Sequence, residues 1–125
     1  MTAFDSKRIL IADYDLKLQT MLGQMLTRKG YQVSHAVNGR EAIALHHHAP
    51  FDLVIAELGL DGFGDLMPIR RHTSPAKFIA TFKTSWLPTE LCFRIGAQLG
   101  SHCVLAKPFS PELLLSAVHS ALKRE

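Results

Sequence analysis

The chain has little of several things that would have set its class at once. Its only two cysteines, Cys92 and Cys103, lack CxxC spacing. That argues against a disulfide scaffold or a redox pair and leaves two idle, reduced thiols as the expectation. No apolar run approaches the roughly 20 residues that a membrane span needs. The opening segment, Met1 to Ser6, lacks the apolar core of a signal peptide, so a cytoplasmic location without membrane attachment is expected. Charge bias is also weak. A formal net charge of +3 is scattered over several segments, so no nucleic-acid surface is expected. There is no internal repeat, low-complexity tract or linker.

What is there reads as a folded globule. Of 125 residues, 47% are hydrophobic and 20% charged, enough for a core without staples, and one domain over residues 1–125 is expected. Short apolar runs alternate with amphipathic stretches. Lys7 to Ala12 suits a strand buried on both faces, Leu53 to Ala56 is a second such apolar run, Lys77 to Phe82 and Cys103 to Ala106 are further strand candidates, and Tyr31 to Ala36 alternates like an edge strand. Between them, Leu18, Met21, Leu22, Met25 and Leu26 form a helical stripe after Asp15, a capping residue. A second helix follows Asn38 through Ala42, Ile43 and Leu45. A short third begins near Pro68, beyond a loop carrying Gly59, Gly62 and Gly64. A fourth runs from Pro88 through Leu91, Ile95 and Leu99, weakened by Gly96. A fifth follows Ser110-Pro111. Gly30 and Gly100 close the first and fourth. Three adjacent histidines, His46, His47 and His48, point in different directions on a helix and do not converge on one ion, so a solvated helix end is expected.

Five strand–helix units imply a doubly wound α/β fold with a five-stranded parallel sheet. Sites in such sheets form beyond the carboxyl ends of the strands. There stand Asp13, Tyr14 and Asp15, then Glu57, Thr81, and Lys107-Pro108. Carboxylates, a hydroxyl and an ammonium would converge from four strands.

These residues carry a resemblance. ILIADYD, FDLVIAEL, IATF and GSHCVLAKPFSPELL, spread from Arg8 to Leu122, resemble the receiver domains of two-component response regulators. The resemblance implies a (βα)5 flavodoxin-like fold with strand order 2-1-3-4-5, the order of the chemotaxis receiver. It also implies a phosphorelay role. Typical receivers hold Mg²⁺ with two acids after the first strand and phosphorylate an aspartate at the end of the third. A Thr or Ser and a Lys bind the phosphoryl oxygens. Here Asp13 matches the first acid and Tyr14 replaces the second. Glu57 stands at the acceptor position, Thr81 at the hydroxyl and Lys107 at the lysine. Val104 replaces the usual switching aromatic.

The departures predict a pseudo-receiver. Glutamate reaches about one bond further than aspartate, and an acceptor in line with its donor tolerates little displacement. Mg²⁺ wants a near-ideal octahedron of hard oxygens, and Tyr14 removes an anionic one. No cofactor and no metal are therefore expected, with Asp13 a weak residual ligand at most. Asp13 and Glu57 are both expected to pair with Lys107. With one charge and two oxygens, Glu57 is at best a partial mimic of a phosphoryl group, and the alternative is a relict ion pair with Lys107 that has no switching role. Asp52 and Asp61 are not expected to stand in as acceptors, because nothing at those positions supplies a metal site. A flavodoxin-like enzyme needs a phosphate-cradling loop, which acidic Asp13-Tyr14-Asp15 would oppose, so no enzyme is expected. The competing reading is a phosphorylation-dependent receiver with a non-standard acceptor or metal site. The expected partner is a protein: a histidine kinase-like protein, an effector domain or a second copy. It would dock on the face of the fourth helix, fifth strand and fifth helix, near Trp86, Phe93 and Arg94. A longer parent chain with an effector domain is compatible with this pattern.

Overall fold

Each short apolar run becomes one strand of a parallel sheet in the computed structural model, which describes residues 6–59, 67–85 and 88–123. The elements in chain order are β1 (Arg8–Ala12), α1 (Leu16–Arg28), β2 (Gln32–Ala36), α2 (Gly39–His48), β3 (Leu53–Glu57), α3 (Met67–Thr73), β4 (Lys77–Lys83), α4 (Thr89–Gln98), β5 (Cys103–Lys107) and α5 (Pro111–Leu122). The strand order is β2-β1-β3-β4-β5, all parallel, as the resemblance implies, and β2 is an edge. The loop glycines Gly62 and Gly64, together with Asp61 and Trp86, lie outside the described residues. Among the described residues no helix is long and apolar enough to cross a membrane.

Strand residues alternate between two cores. Leu10, Val54 and Phe78 face α2, α3 and α4. Ile9, Ile11, Leu53, Ile55, Ile79 and Leu105 face α1 and α5. This period of two has a consequence at the strand ends. Asp13, Glu57, Thr81 and Lys107 continue the α1/α5 side by one more step, so the polar groups crown one core layer.

The helix starts are chemical. Asp15, Asn38 and Ser110 accept from the amides of Leu18, Glu41 and Leu113, which satisfies donors that have no partner inside the helix. Gly30 and Gly100, at φ 96° and 70°, end α1 and α4 in a conformation that other residues adopt at a cost. Cys92 is buried, Cys103 half-buried, and neither is bridged.

Two expectations need correction. The buried stripe of α1 is Gln19, Leu22, Gly23 and Leu26, while Met21 is 47% exposed. The helix is turned because the Gln19 amide donates to the carbonyls of Asp13 and Ala36, at the ends of β1 and β2. A buried amide that satisfies two carbonyls outweighs the burial of one more methionine.

His46 is also not part of a solvated helix end. His47 and His48 are exposed, but His46 is buried, and its Nδ1 accepts the Phe51 amide at 3.1 Å. Only a ring unprotonated at Nδ1 can accept. Burial, then the neighbouring His47, lowers its pKa below the ordinary 6.5. A lowered folded-state pKa means that the unfolded chain binds the proton first. The stabilisation is therefore complete above the unfolded value and is lost as pH falls through the folded one. We expect the urea midpoint to fall as pH drops below about 6.5, with a shallower fall in His46→Asn.

Candidate functional site

Three strands bring three charges together. The Lys107 Nζ donates to Asp13 Oδ2 at 2.6 Å and to Glu57 Oε1 at 2.5 Å. The side chains are 12%, 4% and 0% exposed respectively, so the cluster is sheltered from screening. Asp13 is held further: its Oδ1 accepts the Asp15 amide at 2.8 Å, and its own amide donates to Ala36 O. Glu57 lies beside Thr81 in register, and Thr81 is itself buried.

Charges do not balance inside the cluster. Two carboxylates share one ammonium, and Glu57 Oε2 is buried with no hydrogen-bond partner. Burial raises the Glu57 pKa above 4.5. The Lys107 hydrogen bond opposes this, and the Asp13 charge adds to it. The extra methylene of glutamate carries Oε1 onto the lysine and leaves Oε2 in a sealed space.

Tyr14 stands 42% exposed at the rim. Its hydroxyl accepts from Lys83 Nζ at 2.9 Å, and the same ammonium lies 5.0 Å from the ring centroid. The Tyr14 hydrogen bond is the main reason that the Lys83 pKa is raised. Sequence reasoning missed Lys83. It follows Ile79 and Thr81 at a spacing of two, is paired in register with Lys107, and could have been found by continuing that alternation.

Mg²⁺, the ion that the resemblance implies, can be tested against this donor set. Asp13 has one oxygen on a backbone amide and the other on Lys107, Glu57 has one on Lys107, and Tyr14 offers a neutral hydroxyl. An ammonium occupies the point where the anionic oxygens converge. A hard dication that demands an octahedron of oxygens does not fit these residues. Among the described residues no group of three His, Cys, Asp or Glu is arranged to hold a metal.

The remaining residues fall elsewhere. Asp52 lies at the opposite end of the sheet, where its Oδ2 accepts the Arg8 amide at 2.8 Å. Asp15 caps α1. Val104, on β5, is half-buried against Gly96 of α4. On the α4 side, Phe93 is 46% exposed and meets Phe82 edge-on, with centroids 5.5 Å apart.

Comparison with known proteins agrees with this architecture. The response regulator receiver domain family matches residues 9–119. The probable transcriptional regulator ycf27 of Cyanidium caldarium is 33% identical over 119 residues, covering 93% of this chain and 46% of that protein. The probable transcriptional regulator ycf29 of Porphyra purpurea is 29% identical, covering 96% and 58%. The chain thus spans about half the length of these curated relatives. Among solved structures, a two-component response regulator from Clostridium difficile superposes with a TM-score of 0.83 at 27% identity, covering 95% of this chain and 98% of that one. The chemotaxis protein CheY4 of Vibrio cholerae gives 0.76 at 26%, covering 94% and 99%. Strand order, strand-end residues and these matches converge: the chain belongs to the response regulator receiver domain family.

Proposed function

We propose that this receiver domain works through protein contacts and does not cycle through a phosphorylated aspartate. The observation that carries this reading is the sheltered cluster in which one lysine ammonium is bound by both Asp13 and Glu57. Phosphoryl transfer relies on positioning and on metal charge. Glu57 at the acceptor position is committed to Lys107, and Tyr14 in place of the second acid is committed to Lys83. The lysine that would meet phosphoryl oxygens is already neutralised. On this reading Lys107 ties the ends of β1, β3 and β5 into one state, with Glu57 as a partial stand-in for phosphate. Val104 offers no rotating aromatic to report a change. The docking face is that of α4, β5 and α5, where Phe93 and Leu91 are exposed. A histidine kinase-like protein, an effector domain or a second copy suits such a face. The domain is a signalling module without catalytic activity, in the cytoplasm, within a longer regulator.

The test is an NMR titration with Mg²⁺, with and without beryllofluoride, on wild type and on the Tyr14→Asp/Glu57→Asp double variant. The wild type is expected to stay silent at the amides around Asp13 and Lys107, and the double variant to respond. Wild-type binding of Mg²⁺ followed by beryllofluoride would overturn the reading.

A further inference from the structure

The opposite end of the sheet carries a cavity that receiver chemistry does not use. It measures about 470 Å³ and lies between the starts of the strands and the ends of α2 and α5. That volume is in the roughly 300–1,000 Å³ range of small-molecule sites. Lys7, Lys77 and Lys123 line it. Among the described residues the ion pairs are those of Lys107 alone, so these three ammoniums stand around one cavity with no carboxylate paired to them. The single acid on the wall, Asp52, has Oδ2 bonded to the Arg8 amide and keeps its charge, so the lining carries three positive charges against one negative.

Ordinary helix electrostatics explains only part of this. A cation at the end of α5 is favoured by about 0.3–1 kcal/mol, which accounts for Lys123. Lys7 and Lys77 lie at strand starts, where no such dipole acts. The carbonyls at the end of α2 are already answered, because the Arg8 guanidinium donates to Ala49 O and Pro50 O. After Asp52 is counted, the lining keeps a net excess of positive charge.

Two further features define what would fit. His46 lines the cavity, and its Nδ1 is fixed as an acceptor by the Phe51 amide, so in the neutral ring the proton sits on Nε2 as a donor. Phe51 and Leu122 supply an apolar wall.

We infer that this cavity binds a small organic phosphomonoester. The phosphate is held by the three ammoniums and the His46 Nε2–H, and the apolar body lies against Phe51 and Leu122. The site is independent of the Asp13–Lys107–Glu57 cluster at the other end of the sheet, and its occupancy does not depend on whether that cluster is phosphorylated.

The experiment is an NMR titration of the domain with adenosine monophosphate, with adenosine as the uncharged control. Saturable shifts of the amides of His46, Phe51, Lys77 and Lys123 are expected, with a dissociation constant at or below about 1 mM. Adenosine should leave them still. A Lys77→Ala/Lys123→Ala variant alters only surface side chains. It should keep its spectrum and bind at least about tenfold more weakly. Three outcomes would overturn the site: unsaturable shifts, equal response to adenosine, or shifts confined to the region of Asp13 and Lys107.

Discussion

Replacing Lys107 with methionine should destabilise the domain by about 3 kcal/mol near neutral pH, because it leaves two buried carboxylates without their shared counter-ion. The figure is the low end of what breaking a buried pair costs, since Glu57 can take up a proton. The sign of the pH dependence follows. In the wild type the Lys107 hydrogen bond opposes the burial that raises the Glu57 pKa. Without Lys107, only the charge of Lys83 still opposes burial and Asp13, and the pKa climbs further. A carboxyl group with a raised folded-state pKa makes the folded protein bind its proton more tightly than the unfolded chain does. Stability from this group is then present at low pH and lost as pH rises from 4.5 through the folded value. The gap between Lys107→Met and wild type should therefore narrow as pH falls from about 7 to about 5. Urea unfolding of both proteins at each pH measures it. A gap that stays constant would show that Glu57 does not take up the proton. A gap near zero at neutral pH would show that the cluster contributes no stability.

Much of this architecture is legible in the residues, and where it is not the reason is physical. Caps such as Asp15, Asn38 and Ser110 are local, so their partners three residues on follow from the chain itself. The strands are legible because apolar runs of four to six residues fit a sheet buried on both faces. The order 2-1-3-4-5 is not local. Periodicity says which residues are buried but not which strands are neighbours, and that step came from resemblance to receivers. The acids, hydroxyl and lysine at the strand ends were visible because the carboxyl ends of a doubly wound sheet converge. Lys83 was not, because its role depends on Tyr14, 69 positions earlier. Gln19 was hidden for a similar reason. A polar residue in an apolar stripe looks like a surface position until its amide is seen to donate to the carbonyls of Asp13 and Ala36. His46 followed the same rule: three histidines in a row read as solvent-facing, and only the Phe51 amide distinguishes the first.

Gly96 shows how a residue read as a weakness of α4 becomes a packing requirement. A Cβ built at Gly96 would lie 2.2 Å from Val104 Cγ2 and 3.3 Å from both Val104 Cβ and Cγ1. Val104 is β-branched and stiff at χ1, and it sits on a strand paired to β4, so neither a rotamer change nor a backbone shift relieves the clash cheaply. Alanine would gain roughly 1 kcal/mol of helix propensity. Overpacking would cost about 1–3 kcal/mol and more where contact is this close. We expect Gly96→Ala to destabilise the domain by about 2 kcal/mol net. The companion variant, Val104→Ala, removes the two methyls in the way at the cost of a small cavity. If the seam between α4 and β5 is set by this contact, the two substitutions are strongly coupled. The double variant should then be more stable than the sum of the single losses predicts, by at least about 1 kcal/mol. Additive losses would mean that the cost of Gly96→Ala does not come from the contact with Val104. The coupling also bears on signalling. A glycine against a branched side chain holds α4 close to β5 on the face proposed to meet a partner. A larger residue at either position should therefore alter that face as well as the fold's stability.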